Sequence, residues 1–196
     1  MTHYNTIDQA GEASFKDKGS TFIGYSFPLD KVESFKPIIQ KLKKEHTKAA
    51  HFCFAYKIGI DGNKFRSSDD SEPSGNAGKP ILGQIESRGL TDVLIVVVRY
   101  FGGSLLGVPG LINAYKSTAA MALRVVPTIR KPLLFKIKIE FDYTSLNEIS
   151  TIIKQYKCQI ISQENVLFST YTIGIPLEIK EEVMFKLKKL RNVEIS

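Results

Sequence analysis

From Leu133 to Tyr143 (LLFKIKIEFDY) apolar and polar residues alternate, the period-two signature of a strand with one buried face. Thr144 and Ser145 then read as a helix cap, and the helix runs to about Tyr156 with Leu146, Ile149, Ile152 and Ile153 on one side. Strands are expected over residues 157–163 and 166–175, the second ended by Pro176. Glu178 to Arg191 reads as an amphipathic helix with Ile179, Val183, Leu187 and Leu190 inward, and Val193–Ile195 as a last short strand. The order βαββαβ is the split-βαβ, ferredoxin-like pattern of a small sheet backed by two helices.

The first 130 residues are less regular. Phe22 to Pro28 reads as a strand, and Asp30 caps a helix through about His46, although Pro37 falls inside it and predicts a later start or a bend. His51 to Ile60 is a strand closed by an Asp61-Gly62 turn; Pro80 to Arg88 is a short helix ended by Gly89. Val93 to Val98 is a continuous apolar run, and with Arg99 and Tyr100 it predicts a central, buried strand; a membrane span needs about 20 such residues. Gly110 to Val125 is an Ala-rich helix, and residues 61–79 form a long polar loop, a length that usually signals function. Val126-Pro127-Thr128-Ile129-Arg130-Lys131-Pro132 marks a boundary, so an α+β chain of two domains, 1–130 and 131–196, is expected.

The chain has 196 residues and a net charge of +7. Residues 1–130 carry 17 Lys/Arg against 12 Asp/Glu, and residues 131–196 carry 10 against 8, a mild invitation to a polyanion. The dense clusters are Lys41, Lys43, Lys44 and Lys48, then Lys186, Lys188, Lys189 and Arg191. Each is either a solvated helix face or a loose nucleic-acid surface, spread too widely for sequence-specific DNA readout. Phe168 and Tyr171 are candidate stacking platforms for RNA bases. Cys53 and Cys158 have no metal-type spacing and read as buried free thiols. With no secretory signal in Met1-Thr2-His3-Tyr4-Asn5, a cytoplasmic protein is expected, and no cofactor fingerprint is found.

Candidate chemistry gathers in two loops. Ser68-Asp69-Asp70-Ser71-Glu72 sets three carboxylates within four residues, followed by Gly75, Gly78 and Lys79-Pro80 entering a helix. Such carboxylates could hold a cation, act as acid and base, or cap turns and pair with Arg66, Lys79 or Arg99. Because they repel, Asp70→Ala or Glu72→Ala is expected to disturb function more than fold. The second loop, Arg99 to Gly110, has the glycine spacing of a P-loop at Gly102 and Gly107, but Val108 and Pro109 replace the lysine and hydroxyl, which excludes that motif. His51 and Cys53 share a strand face, so a Cys–His pair is one reading and a core thiol the other. The candidate cleft is therefore His51, Ser68, Asp69, Asp70, Glu72, Lys79, Arg99, Gly102 and Gly103.

Ala49-x-His51-x-Cys53-x-Ala55-Tyr56, then Ser68 to Pro80, then Val98-Arg99-Tyr100-Phe101-Gly102-Gly103, resembles in order and spacing the IMPACT family, in its bacterial, YigZ-type branch, over roughly residues 14–126. Ser71 stands where the family usually has Gly, Asn76 where it has Thr, and Pro109 and Asn113 where it has Gly and a cation. The last two losses weaken a phosphate cradle at the second loop. The resemblance implies a first domain with the fold of a small-subunit ribosomal protein, of domain four of elongation factor G and of the GHMP kinases. It implies a second domain like that factor's fifth. Eukaryotic relatives are regulators of translation that bind the activator of a stress kinase through a chain with a further N-terminal domain, a role not expected to transfer. Three functions follow as expectations: a translation-linked protein binding RNA or the ribosome, an enzyme on a small anionic substrate at the cleft, and a protein-interaction module with a partner in translation.

Overall fold

The computed structural model describes residues 1–165 and 169–196. The chain divides into two compact units, Tyr4–Arg130, and Lys131–Ser196 together with Met1–His3. The elements of the first part are β1 (His3–Thr6), β2 (Gly11–Asp17), β3 (Ser20–Pro28), α1 (Phe35–Glu45), β4 (His51–Ile58), β5 (Lys64–Ser68), α2 (Gly78–Ser87), β6 (Val93–Tyr100) and α3 (Gly107–Arg124). They are followed by β7 (Ile129–Pro132), β8 (Leu134–Phe141), α4 (Leu146–Gln155), β9 (Gln159–Asn165), β10 (Ser169–Pro176), α5 (Lys180–Lys188) and β11 (Val193–Ile195).

The apolar run Val93–Val98 becomes β6, the middle of an antiparallel sheet ordered β2-β3-β6-β4-β5. Val93, Ile95 and Val97 pack with Ile81 and Ile85 of α2 and with Leu111, Tyr115 and Ala119 of α3. Leu94, Val96 and Val98 pack with Phe35 and Leu42 of α1. Both faces of the sheet are covered, so β6 has no polar face to alternate with; each side chain contributes on the order of 2 kcal/mol by burial.

Three strands lie outside those read from the sequence. β1 is only four residues long, and β2 alternates half-buried Gly11, Ala13, Phe15 and Asp17 with exposed Glu12, Ser14 and Lys16, a pattern with few strongly apolar residues to mark it. The turn from β2 to β3 uses Lys18 and Gly19, both at positive φ, as a two-residue hairpin of primed type requires. Inside the expected loop 61–79, Lys64–Ser68 forms the edge strand β5, pairing Tyr56 with Arg66. Its exposed, charged residues carry no alternation because only the backbone pairs; Arg66 lies over the Phe35 and Phe54 rings, 5.8 Å from each centroid. α1 begins at Phe35 after a single 3-10 turn, which puts Pro37 in the first helical turn where its missing N–H is not needed. α3 begins at Gly107, ahead of the expected Gly110.

In the second unit the sheet order is β11-β8-β10-β9, antiparallel throughout. Ile137, Ile139 and Phe141 of β8 face a core shared with Ile149, Ile152 and Ile153 of α4 and Val183 and Leu187 of α5, while Lys136, Lys138 and Glu140 are exposed. Asp142, not Thr144, supplies the turn's cap, its side chain accepting from the Thr144 N–H at 2.9 Å. Tyr171 is buried edge-on against Phe141 with centroids 5.0 Å apart, which removes it as a base-stacking platform. Phe168 lies outside the described residues, as does the expected onset of the strand at 166. No helix among the described residues is long and apolar enough to cross a membrane.

Candidate functional site

The segment from Ser68 to Gly78 turns back on itself around one carboxylate. Asp69 accepts from the backbone N–H of Gly75 (2.9 Å), Ala77 (3.0 Å) and Gly78 (2.8 Å), so it fastens the loop and supplies the N-terminal cap that Ala77 cannot. Burial pushes its carboxyl up, but these donors and the Lys79 charge outweigh burial and hold it below the usual carboxylate range. Asp70 and Ser71 both sit in the left-handed region, at φ of 39° and 71°. That sharp reversal lets the Asp70 side chain accept from Phe52 N at 2.7 Å, with Lys43 of α1 3.9 Å from its other oxygen. Ser68 joins the loop by accepting from Asp70 N at 3.3 Å.

Glu72 turns inward. Its side chain is 4% exposed, and Oε1 accepts from Arg99 Nη1 at 2.5 Å and from the Tyr115 hydroxyl at 2.8 Å. His51 stands beside them: Nδ1 is 2.8 Å from the carbonyl of Asp70, and Nε2 is 3.7 Å from Glu72 Oε1. A carbonyl only accepts, so Nδ1 carries the proton and Nε2 is the nitrogen turned to the carboxylate. Cys53, on the same side of β4, donates to the Asp69 carbonyl at 3.0 Å. Burial pushes its thiol far up, against a smaller opposing pull from the Tyr115 hydroxyl. It is a core thiol, not a nucleophile.

Arg99 ties the two loops together. Its Nη1 serves Glu72 and its Nη2 lies 3.5 Å from Ser20 Oγ, which accepts the Gly102 N–H at 3.2 Å. A Cβ on Gly102 would stand 1.9 Å from the Gly19 carbonyl carbon, so only glycine lets the β6–α3 loop lie against the β2–β3 turn. Gly103 follows at φ 83° on the surface. Ser20 and Tyr115 belong to this group and were not anticipated: a serine after a Lys-Gly turn and a tyrosine in an Ala-rich helix give no local signal of a contact tens of residues away. The repulsion expected within the acidic loop is relieved because the three carboxylates point apart, one to backbone donors, one to Phe52 N and Lys43, one to Arg99. Among the described residues no three His, Cys, Asp or Glu side chains converge as a metal ion would need.

The model of the Impact N-terminal domain matches residues 18–123, more than half of the chain. The chain belongs to the IMPACT family. It is 37% identical over 175 residues to the IMPACT family member YvyE of Bacillus subtilis, covering 87% of this chain and 81% of that one. It is 36% identical to the IMPACT family member YigZ of Escherichia coli, covering 87% and 84%. A crystal structure of a protein described as hypothetical superposes with a TM-score of 0.80 at 31% identity, covering 100% of this chain and 97% of that one.

The basic clusters of this IMPACT-family chain differ in how their charge is held. In α1, Lys41 lies 3.8 Å from Glu45, and Lys43 is shared between Asp70 and the Phe52 ring. Lys44 is exposed on the same helix. At the end of α5, Lys186, Lys188, Lys189 and Arg191 are all exposed, and no ion pair to a carboxylate is formed by any of them among the described residues. α5 stops at Lys188, which leaves Arg191 beyond the helix. Lys189 instead lies over the ring of Phe185, 4.1 Å from its centroid.

Proposed function

We propose that this IMPACT-family chain is a translation-linked binding protein whose second unit contacts RNA, free or on the ribosome. The observation that carries this reading is the division of charge: the acidic loop is consumed by internal partners, whereas among the described residues no carboxylate pairs with the cations that end α5. Unpaired surface cations recruit phosphates by releasing counterions. Family membership supports the link to translation, and the net charge of +7 supports a polyanionic partner.

The test is fluorescence anisotropy with labelled RNA across a salt series. Three or four phosphate contacts give a log–log salt slope of roughly −2 to −3 on single strands. Lys188→Glu with Lys189→Glu should weaken binding and flatten that slope together. No binding at roughly 50 mM salt refutes the reading. A second reading, an enzyme on a small anionic substrate, is favoured by Arg99, which lies by His51 and Glu72 and whose buried Nε has no hydrogen-bond partner among the described residues. A buried donor left unmade costs about 1–3 kcal/mol, and an anion reaching it would recover that. Stabilisation by phosphate or a small carboxylate, abolished by Arg99→Lys, is the result that would move this reading to first place.

A further inference from the structure

α5 is anchored by Val183 and Leu187, both fully buried. Successive residues turn by about 100°, so Phe185 projects on the side opposite both anchors. Its neighbours on that outer side are Lys188 and Lys189, three and four residues on, and Lys186 flanks them. Phe185 is 57% exposed, at the one place on an amphipathic helix where a polar residue is the rule. A single exposed apolar side chain is ordinary; an aromatic ring framed by three lysines, one of them lying against it, is a different object.

We infer that Phe185 is a stacking platform for an unpaired nucleobase, and that the RNA taken by this surface is single-stranded. The inference rests on the RNA reading above and narrows it. The ring offers a flat apolar face, and Lys186, Lys188 and Lys189 stand where the phosphates on either side of a stacked base would pass. A duplex keeps its bases paired and would use the lysines alone. An acidic protein segment needs a groove or a strand edge for its backbone, and the outer side of a helix provides neither.

The experiment compares three probes on the full chain: labelled oligouridylate of about 12 nucleotides, an RNA duplex of the same length, and polyglutamate as competitor. Phe185→Ala should weaken the single strand by about 5- to 150-fold, the range found for losing one base–aromatic stack, with the salt slope unchanged because no charge is altered. Phe185→Trp should keep the affinity, and duplex binding should be the same in all three proteins. Circular dichroism and melting temperature should not move, since the side chain lies outside the core. If the wild type binds no RNA at low salt, the parent reading fails and this one with it. If the wild type binds but Phe185→Ala binds the single strand equally well, only the stacking inference is overturned. Equal losses on single strand and duplex, or displacement of the RNA by polyglutamate at matched charge, also overturn it.

Discussion

Glu72→Ala should unfold the first unit far more readily than a change in a surface loop. The carboxylate and Arg99 are 4% and 6% exposed, and Tyr115 donates to the same oxygen. Truncation strands a guanidinium that already has one unpartnered nitrogen, and removing one partner of a buried pair costs about 3–5 kcal/mol. The unit Tyr4–Arg130 has 127 residues. At about 2.1 cal/mol/K per residue its unfolding entropy is about 0.27 kcal/mol/K, so a loss of about 4 kcal/mol lowers Tm by about 15 °C. Differential scanning calorimetry on the full chain reads this directly. Glu72→Gln keeps an acceptor for both donors and should lose about half as much, since a neutral hydrogen bond is worth roughly half a charge-assisted one. Glu72→Leu combined with Arg99→Leu should recover most of the stability, because no charge is then buried alone. A Tm drop under about 3 °C for Glu72→Ala would refute the reasoning, since it would mean that Arg99 finds water as soon as its partner is gone. The expectation that relieved loop repulsion keeps the structural cost of Glu72→Ala small does not fit the geometry: Glu72 faces a cation inside the fold, not its neighbours in the sequence.

Asp69 titrates below its ordinary value of 3.8, so the stability it contributes is complete above that value and is lost as pH falls through the depressed one. Asp69→Asn should therefore cost about 1–2 kcal/mol at neutral pH in urea unfolding, and the gap should narrow below about pH 4; a gap that widens in acid would contradict the capping role. Ser71→Gly should stabilise by about 0.5–1 kcal/mol, because φ of 71° strains a side chain and not a glycine; an unchanged or lower Tm would show that the Ser71 side chain makes a compensating contact.

Elements that bury apolar residues on a regular period were legible in the sequence. Val93–Tyr100 has the expected bounds, and in the second unit the alternation of β8 and the stripes of α4 and α5 identify elements that occur where they were read. β5 was not legible because an exposed edge strand is specified by its partner's backbone, and Lys64–Ser68 contains nothing that a loop would not. At the site, the crowding of carboxylates was visible and their fates were not. Only tertiary structure brings Arg99 and Tyr115 to Glu72, across 27 and 43 residues. Phe185 could have been found from sequence, since it sits half a turn from Val183 and Leu187 on the same helix.

Met1–His3 belong to the second unit: the Leu133 N–H donates to the Thr2 carbonyl at 2.7 Å, and the Thr2 hydroxyl donates to Glu178 at 2.7 Å. On the ribosome these residues are made before Tyr4–Arg130, and their partners are made after it. The first unit can therefore close while its leading segment still hangs unmatched, and that segment docks only when the stretch carrying Glu178 has left the exit tunnel. A fragment cut at residue 131 would inherit the sheet and both helices but not this clasp, so its stability would understate that of the same unit in the full chain.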